Sequence, residues 1–153
     1  MELKKIVVGV DGSPAAASAL RWAAETVGDD GEILAVHGTA TALIAQAAAS
    51  AATGMGALPE LEGRRAEGQR MLEGPWREPV NDTGVTYRAV AVDSDPVDAI
   101  LEIARREEAD AIVVGHQGPT GFLQRLFRGV CEGLIDEARR PVVVIPHNPP
   151  RRS

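Results

Sequence analysis

The sequence predicts an α/β protein of three layers, with a five-stranded parallel sheet between helices. Three observations lead there. Three short runs are continuously apolar and β-branched, namely Lys5 to Val10, Ala111 to Gly115 and Pro141 to Pro146, and each is bounded by turn residues. That is how strands buried on both faces read. Segments of helical periodicity alternate with the strands, which implies parallel pairing with right-handed crossovers and helices on both faces. Aromatic residues make up only 3% of the 153 residues. The core therefore has to be built from Val, Ile, Leu and Ala, which favours helices packed on strands.

Taken in order, Lys5 to Val10 is the first strand. Ser13-Pro14 supplies an N-cap and a first-turn proline, after which Leu20, Ala23, Ala24 and Val27 recur at helical spacing until Gly28. Glu32 to His37 is a second strand with one wetter face. The segment from 38 to 58 is anomalous: 41–52 is Ala-rich, yet Thr53-Gly54-Met55-Gly56 follows without a periodic pattern. We expect a mobile insertion there, since long insertions after strand ends often lie over a site. Glu60 to Glu73 is a polar helix weakened by Gly63 and Gly68 and ended by Gly74-Pro75. Thr86 to Val92 is a third strand, also with a wetter face. Asp95-Pro96 repeats the helix-start signal, followed by Val97, Ile100, Leu101 and Ala104 on one face. Ala111 to Gly115 is the fourth strand. From Gly121 to Arg140 apolar residues return every three or four positions, and Pro141 to Pro146 closes the order as a fifth strand. One domain is expected over 1–147, with a flexible tail over 148–153.

Charge and composition narrow the function. Net charge is -6, with 16 basic against 22 acidic residues, so a nucleic-acid footprint is not expected. Cys131 is the single cysteine and reads as a packing residue, which fits a reducing, cytoplasmic setting. No apolar run approaches a membrane span. His37, His116 and His147 lack metal-ligand spacing. The P-loop, the usual dinucleotide fingerprint and the nucleophile elbow are all absent. The only lysines, Lys4 and Lys5, stand at the start, which excludes a phosphate-accepting receiver domain.

In a parallel sheet of this kind ligands bind at the carboxyl ends of the strands. That rule selects Val10 to Ser13, His37-Gly38, Asp93 to Pro96 and Gly115 to Gly118. Asp11 is either a turn residue that helps cap the first helix or a carboxylate that reads a ligand edge. Gly115 and Gly118 let backbone N–H groups turn toward an anion without Cβ obstruction.

Three stretches carry a resemblance: Ile6 to Ser13, Asp95 to Gly115, and Arg140 to Pro146. Together they resemble a universal stress protein domain over nearly the whole chain, most weakly from Gly38 to Val85. The resemblance implies a five-stranded parallel α/β sheet and a homodimer, here through the last strand, Val142–Ile145. In one branch it implies ATP binding through G-x2-G-x9-G-[ST]. On that basis Asp11, with Val10, would lie on the adenine side, and Gly38 would contact the base. Val114, Gly115, Gln117 and Gly118 would form the first phosphate loop. The remaining positions depart from the pattern: Arg128 stands at the third glycine, Gly129 at the hydroxyl, and Val130 and Cys131 follow.

Arg128 brings a Cβ where close approach to phosphate is expected, although its guanidinium offers a bidentate contact. Three outcomes stay open: ATP is bound, another adenine nucleotide is bound, or the cleft is empty. Nothing in the residues speaks to Mg. With so few aromatic residues, an adenine ring is expected against aliphatic walls. No nucleophile, general base or metal constellation is visible, so efficient catalysis is not expected. The preferred reading is a regulatory module that binds an adenine nucleotide. Its rivals are a non-binding module that acts through dimerisation and protein partners, and a very slow ATPase.

Overall fold

The computed structural model describes residues 2–39, 58–116 and 132–147. Strand β1 (Lys5–Gly9) leads into helix α1 (Pro14–Thr26), then β2 (Glu32–Gly38). Helix α2 (Leu58–Glu73) runs into a 3-10 turn (Pro75–Val80), followed by β3 (Thr86–Val92) and α3 (Pro96–Arg106). Strand β4 (Ala111–His116), a helical segment α4 at 132–137 and β5 (Val142–Pro146) complete the described chain. All five strands pair in parallel in the order β3-β2-β1-β4-β5. The expected fold class holds.

The helix starts are set locally. Ser13 Oγ accepts the Ala16 N–H at 3.1 Å, and Asp95 Oδ2 accepts the Val97 N–H at 3.0 Å, each followed by proline at the first helical position. Such caps satisfy amides that have no partner inside the helix. Side chains alternate across the sheet. Ile6, Val8 and Val10 pack with Ala16, Leu20 and Ala23 of α1 and Leu72 of α2 on one face. Val7, Leu34 and Val36 pack with Ile100, Ile103 and Ala104 of α3 and Leu134 of α4 on the other.

Four expectations need correction. β2 has no wet face: Ile33, Leu34 and Ala35 are fully buried, because β2 is an inner strand with a hydrophobic cluster on each side. β5 is not buried on both faces. It is an edge, and Val144 is 37% exposed. Helix α2 starts at Leu58, two residues before the expected Glu60, and the last helix stops at 137 rather than Arg140. Gly74-Pro75 does end α2, but Pro75 opens the 3-10 turn, which was not foreseen. Of the expected insertion, 40–57 lies outside the described residues, as does the tail from 148.

At the amino end of the sheet, Arg88 on β3 donates to Glu32 on β2 at 2.8 and 3.0 Å and to Glu107 after α3 at 2.8 Å. The hydrogen bond from Arg88 to Glu107 holds that carboxyl below its ordinary range. Tyr87, the single tyrosine, donates its hydroxyl to the Leu72 carbonyl at 2.7 Å and so ties β3 to α2. Burial pushes this phenol up to about 12, with the Arg77 cation working against the shift and Glu73 with it. The unfolded chain thus loses this proton near pH 10 while the folded chain keeps it, so stability falls as pH rises from about 10 to about 12. Absorbance titration of phenolate should show a midpoint near 12 in the folded protein. A midpoint near 10 in the folded protein would mean that the ring is solvated.

Candidate functional site

The strand order reverses between β1 and β4: β2 and β3 follow on one side of β1, and β4 and β5 lie on the other. The segment after β1 leads to α1 on one face, while α4, beyond β4, packs on the opposite face. A crevice at the carboxyl ends of the strands is expected at such a reversal. Five of the selected residues stand there, on three adjacent strands: Val10 and Asp11 just past β1, Gly38 at the end of β2, and Val114 and Gly115 near the end of β4. Gln117, Gly118, Arg128, Gly129, Val130 and Cys131 lie outside the described residues.

Each of the five has a structural duty. The Asp11 side chain is exposed, and its Oδ1 accepts the Ser13 N–H at 3.0 Å, the turn geometry of a capping residue. This bond uses one carboxylate oxygen. The Val10 N–H is committed to the Val36 carbonyl at 2.9 Å, and its own carbonyl accepts from the His37 ring. The Val114 side chain is buried in the core. A Cβ on Gly38 would stand 2.6 Å from Pro96 Cα and 2.8 Å from the Ser94 carbonyl oxygen, so the turn into α3 closes down on it. A Cβ on Gly115 would strike the Ala15 carbonyl and lie 2.8 Å from Ala15 Cβ. Both glycines are therefore required by packing, whatever else they do.

Beside this crest is a cavity of about 240 Å³, lined by His37 and Thr39 from the end of β2, Arg64, Glu67, Gly68 and Met71 from α2, and Trp76. Trp76 meets His37 edge-on, with ring centroids 5.1 Å apart at 70°, and its indole lies over Gly12. The Thr39 hydroxyl is shared between the Val92 carbonyl (3.2 Å) and Asp93 Oδ1 (3.0 Å). Gly68, which looked like a helix weakener, is needed here: a Cβ would come within 2.8 Å of His37 Cδ2.

Two rings, His37 and Trp76, thus stand at this end of the sheet. Trp76 escaped sequence reasoning. The available signals were its rarity, as one of two tryptophans, and its place directly after Gly74-Pro75. Among the described residues, no group of three or more His, Cys, Asp or Glu side chains could hold a metal ion. Among those residues, too, no helix is long and apolar enough to cross a membrane.

Comparison with known proteins agrees with this architecture. The universal stress protein family profile matches residues 2–146. A universal stress protein of Methanocaldococcus jannaschii is 29% identical over 143 residues, covering 93% of this chain and 81% of that protein. The solved structure of a second protein of that archaeon superposes with a TM-score of 0.75 at 23% identity, over 97% of this chain and 99% of the other. A family member from Arabidopsis thaliana, solved with AMP bound, gives 0.63 at 21% identity, over 95% and 92% of the two chains.

Proposed function

The chain belongs to the universal stress protein family, and from that premise we propose that it is a regulatory module which binds an adenine nucleotide across the carboxyl ends of β2, β1 and β4. The observation that carries this reading is the strand-order reversal at β1 and β4, with the exposed Asp11 carboxylate between Gly38 and Gly115 on the flanking strands. The bound AMP of the Arabidopsis relative supports the ligand class. In this reading Asp11 accepts from ribose or base, and the phosphates lie at the β4 exit. There, backbone N–H groups at 115–118, Arg128 and the segment Gly129 to Cys131 receive them in a site with few lysines. ATP and AMP are both candidates. The protein works in the cytoplasm as a homodimer through β5, and its output is binding rather than turnover.

The packing duties of Gly38 and Gly115 favour a second reading, in which the same fold binds no nucleotide and acts through its β5 edge, where Val144 is exposed. Isothermal titration with ATP, AMP and cyclic AMP separates the two. The first reading expects a micromolar dissociation constant for at least one of them. Asp11→Arg should weaken it at least about 100-fold, because a charge-assisted acceptor is replaced by a bulky cation. Absence of heat with all three sinks that reading. Should Arg128→Gly with Gly129→Ser then create binding, the departures from the motif are what closed the site. Metal-dependent phosphate release above the protein-free control would instead revive slow ATP hydrolysis.

A further inference from the structure

β3 and β5 are the two edges of the sheet. The Val92 carbonyl accepts the Thr39 N–H at 3.0 Å, so it is turned toward β2. Successive residues of a strand turn their N–H and C=O to opposite sides, and Tyr87, Ala89 and Ala91 therefore present theirs outward. The Gln69 carboxamide of α2 reaches into that row. Its Nε2 donates to the Ala89 carbonyl at 2.9 Å, and its Oε1 accepts the Ala91 N–H at 2.8 Å. The partners fix which atom is nitrogen, because a carbonyl only accepts and a backbone N–H only donates.

This is the bond pattern of a parallel neighbour. In parallel pairing one residue donates to the carbonyl before its opposite number and accepts from the N–H after it. The carboxamide does both around Val90, so a side chain stands where one residue of a sixth strand would. It is held from two directions. Nε2 also donates to Glu73 Oε1 at 2.6 Å, one turn along α2, and the Tyr87 hydroxyl pins the Leu72 carbonyl of that turn to the same strand.

β3 lacks the usual protections of an edge, which are lysine, proline or a bulge. Its sequence, Thr-Tyr-Arg-Ala-Val-Ala-Val, has no lysine or proline. It pairs with β2 residue for residue from Thr86 to Val92, without a bulge. Its one charge, Arg88, is turned to Glu32 and Glu107. We propose that the outer edge of β3 is a strand-pairing surface for the β3 of a second copy of this chain, and that Gln69 holds it shut. The register favours a second copy as the occupant. Antiparallel pairing about a two-fold axis at Ala89 sets Tyr87 opposite Ala91 and Arg88 opposite Val90, so no like charges meet. In the β5 homodimer of the reading above, both outer edges are β3, and Gln69 then ends growth of the sheet at two chains. The lock itself depends neither on that dimer nor on a nucleotide.

The test compares the full chain with Gln69→Ala, without nucleotide, by light scattering and by amide hydrogen exchange. At about 100 µM the mean mass of Gln69→Ala should be at least about 2-fold that of the unaltered protein. In dilute Gln69→Ala the Ala91 amide should exchange at least about 10-fold faster than in the unaltered protein. In the concentrated variant it should regain protection, because the second copy supplies an acceptor. Equal masses overturn the proposal. Added mass with the Ala91 amide still fast also overturns it, since the copies then meet elsewhere. Should Gln69→Ala fail to fold, Gln69→Met, which keeps the side-chain length and makes neither bond, takes its place. The unaltered protein gives an independent check: its Ala91 amide should be as protected as the amides of β1, and fast exchange there would mean that Gln69 does not hold the edge.

Discussion

Gly115→Ala is expected to lower the thermal unfolding midpoint by roughly 10 °C, even with no nucleotide present. The added methyl would strike the Ala15 carbonyl and stand 2.8 Å from Ala15 Cβ. Neither partner yields easily. Ala15 is fully buried in the first turn of α1, which is held in place by the Ser13 cap and by Ala16, part of the hydrophobic cluster that includes Ile6 and Val8. β4 is hydrogen-bonded on both sides, to β1 and β5. Overpacking in a filled interior costs about 1–3 kcal/mol, and a clash between backbone and a buried methyl belongs at the upper end. For a chain of this length each kcal/mol moves the midpoint by about 2–4 °C. Calorimetry without ligand isolates the structural share. If the midpoint does not move, α1 can slide away from β4, and the glycine is there for a ligand alone. If it falls as expected, any loss of nucleotide affinity in the same variant has to be judged at a temperature where the variant is folded.

Gly115 also shows what the sequence could and could not convey. A glycine at a strand exit was legible as a place that needs glycine, but the reason, the first turn of α1, is a neighbour about 100 residues away. Gly38 is similar, because its neighbour is the Ser94 to Pro96 turn. Signals that act over two or three residues read well: the Ser13 and Asp95 caps bond to amides three and two positions on. The central strands β1 and β4 read well because a continuous apolar run is possible only where both faces are covered.

β2 misled because its polar residues sit at its ends. Glu32 pairs with Arg88 at one end and His37 bonds the Val10 carbonyl at the other, while everything between is buried. β5 misled in the opposite sense, since Val142 to Val144 report hydrophobicity and not which element covers it. The cavity was illegible for a related reason. Its walls come from β2, α2 and the 3-10 turn, and only tertiary docking brings Trp76 to His37 and Gly12.

Gly12→Ala is expected to destabilise the protein by about 2–3 kcal/mol and to weaken AMP about 10-fold, and the two effects have separable sources. Gly12 has φ +83°, a backbone region that costs a residue with a Cβ about 1–2 kcal/mol. The new methyl would also lie 2.5 Å from Trp76 Cε2 and 2.7 Å from Cζ2, so the indole has to move. The turn that carries it is held by the buried Val80, which leaves rotation of the ring off His37 as the cheaper response. That rotation removes one wall of the cavity beside the Asp11 turn, which is why affinity falls about 10-fold, a little over 1 kcal/mol. Combining Gly12→Ala with Trp76→Phe separates the terms, since the smaller ring relieves the collision and leaves the φ cost untouched. Contacting residues give non-additive stabilities in such a cycle. A coupling near 1 kcal/mol would assign that share to the indole. Strict additivity would place the whole cost in the backbone, and Trp76 would then stand over Gly12 without pressing on it.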